Sequence, residues 1–108
     1  VKMLLNYNYT IDLDIKNSND RTALMIASKK NNIDIISLLL NYKVKPNIDA
    51  QDFYGYTALI IATRKNNIEA VKALLEHNAN KSIKDNYFYT ALDYAKELKI
   101  SKLIKLLS

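Results

Sequence analysis

Few residues of this chain could carry out chemistry. Its 108 residues include one histidine, His77, one glycine and no cysteine. The sequence therefore offers no glycine loop to cradle a phosphate, no Cys/His nucleophilic pair and no histidine-based metal cluster. Asp12 and Asp14 open like a calcium-binding loop, but Lys16 takes the next ligand position and Asn17 stands where such a loop requires glycine. We predict a protein that is not an enzyme and needs no cofactor or metal.

The chain instead repeats one structural unit about three times. The segment TALMIA at residues 22–27 returns as TALIIA at 57–62 and as TALDYA at 90–95, at intervals of 35 and 33 residues. Self-similarity at such a period is typical of a solenoid, in which each unit buries its apolar face against its neighbours.

Each unit has the pattern of a helix, a turn and a second helix. The hydroxyls of Thr22, Thr57 and Thr90 can cap the start of a helix. Asn31 and Asn66 lie nine residues after the first two threonines, where the helix must end, and asparagine tolerates the left-handed backbone found there. Apolar residues then recur at helical spacing over a face too wide for a solvent-exposed helix. That face is expected to contact neighbouring units.

These residues resemble the ankyrin repeat, a hairpin finger followed by two antiparallel helices. The closest copy is DFYGYTALIIATRKNNIEAVKALLEHNAN at residues 52–80, and the resemblance covers essentially the whole chain. It implies an all-α fold, an ankyrin-repeat solenoid of antiparallel helix pairs joined by β-hairpin-like finger loops. We predict a single domain over 1–108, with a partial repeat at 1–16, repeats at 17–51 and 52–84, and a closing repeat at 85–108.

Glycine positions of the family are mostly filled by other residues. The finger glycine survives only as Gly55, whereas Asp20 and Phe88 take its place in the other units, and Lys99 stands at the last helix stop. We therefore expect a less rigid domain than a consensus array.

The resemblance also implies a partner surface. In the family, partners contact residues after the finger aspartate, the residue before the threonine and the exposed pair that ends the first helix. The aromatic or basic residues at these positions are Arg21, Lys29, Lys30, Phe53, Tyr54, Tyr56, Arg64, Lys65, Tyr87 and Tyr89. We predict a non-catalytic protein–protein interaction module that binds through its finger loops and concave first-helix face. An acidic segment of the protein partner would suit the basic residues.

Other interpretations of the same residues stay open. The net charge of +5 suggests a nucleic-acid-binding module, although the lysines are scattered, and a regulatory or targeting domain of a larger enzyme is a further alternative. Tyr56, Phe88 and Tyr89 would instead pack finger against finger if the aromatic residues serve the scaffold, and Phe88 is the one that we assign there. His77 would either contact a partner or cap its helix.

The start of the chain resembles the second half of a repeat without its first helix. Leu4 and Leu5 would then lack their usual neighbour, so the chain is expected to be a fragment and to be monomeric unless this end self-associates. No apolar run is long enough to span a bilayer and no signal-peptide pattern opens the sequence, so we expect no membrane insertion. An intracellular, cytoplasmic location is expected, with a nuclear one left open.

Overall fold

The computed structural model describes residues 12–108, and these form six helices in three successive pairs. The helices are α1 Ala23–Lys29, α2 Ile33–Leu40, α3 Ala58–Arg64, α4 Ile68–Glu76, α5 Ala91–Leu98 and α6 Ser101–Leu107. The two helices of each pair pack together, α1, α3 and α5 pack side by side, and α2 packs on α4. This arrangement confirms the predicted all-α solenoid, and the finger loops between 12 and 108 are turns that contain no strand.

Threonine caps begin the first helix of every pair, as predicted. The hydroxyls of Thr22 and Thr57 accept hydrogen bonds from the backbone N–H three residues later, at 3.3 and 3.2 Å. Thr90 forms a full capping box, because its hydroxyl accepts from the N–H of Asp93 while the Asp93 carboxylate accepts from the N–H of Thr90. The backbone hydrogen bond from Thr90 is the main reason that the pKa of Asp93 is lowered.

The predicted helix stops adopt the left-handed backbone. Asn31 and Asn66 have φ of 53° and 56°, and Lys99 has φ of 58° at the end of α5. The finger position that glycine usually fills is left-handed in all three units, with φ of 59° at Asp20, 81° at Gly55 and 67° at Phe88. The sequence therefore keeps the backbone of the repeat while replacing most of its glycines.

The core is an apolar stripe along the packed helices. Its fully buried large side chains include Leu24, Met25, Ile36, Leu39, Leu59, Ile60, Leu74 and Leu103. Ala27, Ala62 and Ala95 are also buried, at the same position of the three units, where a small side chain lets the helices approach closely. Burial of this stripe is the main favourable contribution to folding.

Each finger is shaped by the residue that opens it. One carboxylate oxygen of Asp52 accepts two backbone hydrogen bonds, from Tyr54 and Tyr56, both at 2.9 Å. Asp85 and Asn17 repeat this arrangement in the third and first fingers. Neighbouring fingers are joined by backbone hydrogen bonds, from Phe53 to Asn19 and from Asn86 to Tyr54. The turn side chains thus hold the fingers in a fixed row.

Two sequence-based predictions are not addressed by this part of the chain. The expected exposure of Leu4 and Leu5 and the self-association of that end lie outside the described residues. The boundaries proposed between the repeats also stay predictions. No helix between residues 12 and 108 has the length and apolar content needed to cross a membrane.

Candidate interaction surface

Five aromatic rings form a continuous contact chain across the second and third units. Phe53 meets Tyr54 edge to face, Tyr54 stacks on Tyr56, Tyr56 meets Tyr94 edge to face, and Tyr94 contacts Tyr89. Successive ring centroids are 5.4, 5.6, 6.3 and 5.3 Å apart. We call these five residues the aromatic ladder. Its outer members are held by the rings beneath them, so they are presented with little freedom to reorient.

Tyr56 lies at the base of the ladder and not at its surface. Its side chain is 9% exposed and belongs to the apolar core. This burial supports the scaffold alternative for Tyr56, and direct contact of this residue with a partner stays a prediction. The physical reason for the burial is the neighbouring unit, since Tyr94 of α5 packs against the Tyr56 ring and covers it.

Tyr94 anchors the ladder, and the sequence analysis missed it. Its hydroxyl donates a short hydrogen bond to Asp85, the residue that shapes the third finger. Burial, followed by this hydrogen bond, raises the pKa of the Tyr94 hydroxyl well above its usual range. Alignment of the units could have found it, because Tyr94 occupies the position of Ile26 and Ile61 and is the only aromatic there.

Phe88 also differs from the prediction. The sequence predicts a place for it in the scaffold, yet its side chain is 76% exposed. The left-handed backbone at this residue lies at the turn of the third finger, where the side chain is directed to solvent. Phe53 and Tyr87 are similarly exposed, and Tyr54 and Tyr89 are about half exposed. We call the three successive finger turns, at residues 17–21, 52–56 and 85–89, the finger row. It therefore presents five accessible aromatic side chains.

Arg64 lies over buried Tyr56 and partly buried Tyr94 in the ladder. Its guanidinium carbon is 4.6 Å from the ring centre of Tyr56 and 5.3 Å from that of Tyr94. Such stacking holds the cation through the ring quadrupole and restricts the side chain. Arg64 is thus a positioned charge at the junction between the fingers and the end of α3.

The other predicted basic residues divide into two groups. Arg21 is half-buried and bonds the carboxylate of Asp52 at 3.2 Å, so part of its role is to brace the second finger. Lys29, Lys30 and Lys65 are exposed at the ends of α1 and α3. The turn that follows α3 is joined to the end of α1. In that turn the Asn67 side-chain amide donates to two carbonyls of the last turn of α1, at 2.8 and 2.9 Å.

The remaining reactive side chains fit structural roles. The Nδ1 atom of His77 lies 3.0 Å from the carbonyl oxygen of Ala73, which is the cap contact at the end of α4. Within residues 12–108 no group of three histidine, cysteine or acidic side chains is arranged to hold a metal ion.

The sequence matches the family profile of ankyrin repeats (3 copies) over residues 1–85 and 46–108. Among solved structures, the crystal structure of EF0377, an ankyrin repeat protein, is similar with a TM-score of 0.86 at 38% sequence identity. That similarity covers 96% of this chain and 54% of the other, so the present chain spans about half the length of this relative. No curated protein matches the sequence. The profile match and the repeated helix pairs show that this chain belongs to the ankyrin repeat family.

Proposed function

We propose that this domain binds a protein partner through its finger row and the adjoining ends of its first helices. Ankyrin repeats generally act as protein–protein interaction modules. The observation that carries the proposal for this chain is the aromatic ladder, whose accessible rings are packed on buried Tyr56 and partly buried Tyr94. The domain acts without a catalytic centre of its own.

Aromatic side chains suit this role for a physical reason. They provide a large contact area and lose little rotamer freedom on binding, so they are enriched among the residues that dominate interface energies. The ladder restricts its outer rings before binding and so reduces the entropy that association would otherwise cost. Phe53, Tyr54, Tyr87, Phe88 and Tyr89 are the side chains that we propose meet the partner.

The basic side chains beside the ladder supply the electrostatic part of the proposal. Lys29, Lys30, Arg64 and Lys65 are exposed at the ends of α1 and α3. Charges at the rim of an interface mainly accelerate association and give it a dependence on salt. A protein partner with an acidic segment is the best match to this surface.

Alanine substitutions in the full chain test this proposal, with a protein partner that the unsubstituted chain has captured. Tyr54→Ala and Tyr87→Ala should each weaken binding about tenfold or more, because hot-spot truncations commonly cost at least about 1–2 kcal/mol. Their melting temperatures should stay close to that of the parent, since exposed substitutions usually change stability by less than about 0.5 kcal/mol. Binding is measured by calorimetry and folding by circular dichroism.

Two matched variants make the result interpretable. Tyr56→Ala removes a buried ring and should lower stability, whereas Lys102→Ala changes an exposed residue of α6 and should change neither property. Full-strength binding by both finger variants would show that the partner uses another face. Unfolding of Tyr87→Ala would place that exposed residue in the scaffold.

A further inference from the structure

The ends of the first helices carry a charge that changes sign along the solenoid. The residue seven positions after each capping threonine is Lys29 in the first repeat, Arg64 in the second and Glu97 in the third. All three are exposed, and we call them the charge row. No ion pair within residues 12–108 involves any of them. The concave face therefore presents two positive positions followed by a negative one.

The spacing of the charge row is set by helix packing. Helices α1, α3 and α5 lie side by side, and packed helices have axes about 8–10 Å apart. The Asn67 side chain, in the turn that follows α3, donates hydrogen bonds to the carbonyls of Ser28 and Lys29 and so holds this turn against the end of α1. Equivalent residues of successive repeats are thus expected to lie about 8–10 Å apart.

Arg64 is prepared to receive a carboxylate. Its guanidinium carbon lies 4.6 Å from the ring centre of Tyr56 and 5.3 Å from that of Tyr94, and a guanidinium carries five N–H donors that can bind a carboxylate. No carboxylate of the described residues takes these donors. The ring contacts therefore restrict the group, while its exposed donors remain available for hydrogen bonds to an acidic side chain.

An extended peptide in the polyproline II conformation matches this spacing. Such a helix has three residues per turn and rises about 3.1 Å per residue, so side chains three positions apart share a face at about 9 Å. A β-strand fits less well, because its side chains at positions i and i+3 point to opposite faces.

We propose that the concave face binds a polyproline II segment with acidic residues at positions i and i+3 and a basic residue at i+6. The acidic pair meets Lys29 and Arg64, and the basic residue meets Glu97. Lys30 and Lys65, next to the first two positions, add to the preference for an acidic pair. This proposal rests on the proposed partner-binding role of the domain and specifies the chemistry of the segment that is bound.

Synthetic proline-based peptides test the proposal directly. The matched probe is a fluorescein-labelled peptide in which glutamate, glutamate and lysine, in that order, are separated by pairs of prolines. The control has the same composition and spacing but the order glutamate, lysine, glutamate, which mismatches the charge row in either chain direction. By fluorescence anisotropy, the matched peptide should bind about three- to tenfold more tightly, as expected from two exposed ion pairs.

Variants of the full chain identify the residues responsible. Glu97→Lys should reverse the preference at the third position, so that a peptide with three glutamates binds more tightly than the matched probe. Arg64→Lys keeps the charge but loses the planar donor that contacts the two rings, so the affinity for the matched probe should fall several-fold. Lys102→Glu, a charge reversal on α6, should preserve the preference of the parent chain.

The possible outcomes separate this inference from the proposed function. Equal affinity for the matched and reordered peptides, or no binding of either at millimolar concentration, would overturn the inference. A preference that Glu97→Lys leaves unchanged would overturn it as well. Failure of the proposed function is recognised differently, by Tyr54→Ala and Tyr87→Ala variants that stay folded and bind the captured partner at full strength.

Discussion

At the scale of single residues, one backbone position shows how differently the repeats meet the same constraint. The finger turn is left-handed in each unit, but its occupants are Asp20, Gly55 and Phe88. Gly55 has a packing reason, because a Cβ atom there would lie 2.6 Å from the side-chain oxygen of Asn86 and 2.7 Å from its backbone nitrogen. Phe88, by contrast, has an exposed side chain. Strain without a packing reason is consistent with a side chain retained for binding.

Opposite changes at these two turns should have opposite effects on stability. Gly55→Ala should lower the free energy of unfolding by about 2–3 kcal/mol, because it adds left-handed strain of about 1–2 kcal/mol and a steric clash. Phe88→Gly should raise it by about 0.5–1 kcal/mol, since it relieves strain but increases the entropy of the unfolded chain. Urea unfolding measures both, and a loss of stability in Phe88→Gly would show that this ring packs on the scaffold.

The capping box of α5 should make stability depend on pH. Because the pKa of Asp93 is lowered in the folded chain, its contribution is present above the ordinary value of 3.8 and is lost as the pH falls through the folded pKa. Asp93→Ala should cost about 0.5–1 kcal/mol near neutral pH, and the difference from the parent should shrink below pH 3.8. Denaturant unfolding at several pH values measures it.

Glu76→Ala, at the exposed end of α4, is the control for this experiment. It should change stability by less than about 0.5 kcal/mol near neutral pH. A difference between the parent and Asp93→Ala that persists undiminished at low pH would assign the effect to a side-chain contact that does not require the ionised carboxylate, since helix propensity alone would favour alanine.

Local features were predictable from the sequence, whereas the roles of several aromatic residues were not. Thr57 and Asn66 act on their own backbone within a few residues, so their types alone indicate a helix start and a helix stop. The burial of Tyr56 depends on Tyr94, which is 38 residues further along the chain, and the exposure of Phe88 depends on the direction of a turn. Such facts follow from the placement of neighbouring repeats.

At the scale of elements, the first helices pack through a recurring alanine. Ala27, Ala62 and Ala95 occupy the same position in α1, α3 and α5, and Ala62 is fully buried between its neighbours. The repeat pattern predicted this position from sequence alone, because a small residue that recurs in every unit marks a close approach of helices.

Enlarging this alanine should destabilise the helix stack. Ala62→Leu should lower the free energy of unfolding by about 1–3 kcal/mol, because the surrounding core has no room for three more carbon atoms. Ala23→Leu is the matched control, since Ala23 is exposed in α1 and leucine has nearly the helix propensity of alanine. If urea unfolding finds the two variants equally stable, the helices are in a different rotational phase from the one described.

At the scale of the whole molecule, a residue is buried according to how many repeats flank it. Ile26 and Ile61 hold the same position in their units, but Ile26 is 37% exposed and Ile61 is 4% exposed. Ile61 belongs to α3, which packs on both α1 and α5. In a solenoid, stability is the sum of repeat and interface contributions, so the central repeat should open last.

Hydrogen exchange should detect this gradient and its link to the binding surface. The backbone amides of α3 should exchange more slowly than those of α5 and α6, since the closing repeat has a packed neighbour on one side among the described residues.

Leu103→Ala removes a fully buried side chain from α6 and should cost about 2–5 kcal/mol of stability, concentrated in the closing repeat. Tyr89 and Tyr94 belong to that repeat and form one end of the aromatic ladder. The same variant should therefore loosen the packing of these two rings and weaken partner binding. Equal loss of protection in α1, α3 and α5 would mean instead that the repeats unfold as one cooperative unit, and that the closing repeat has no separate opening by which binding could be weakened.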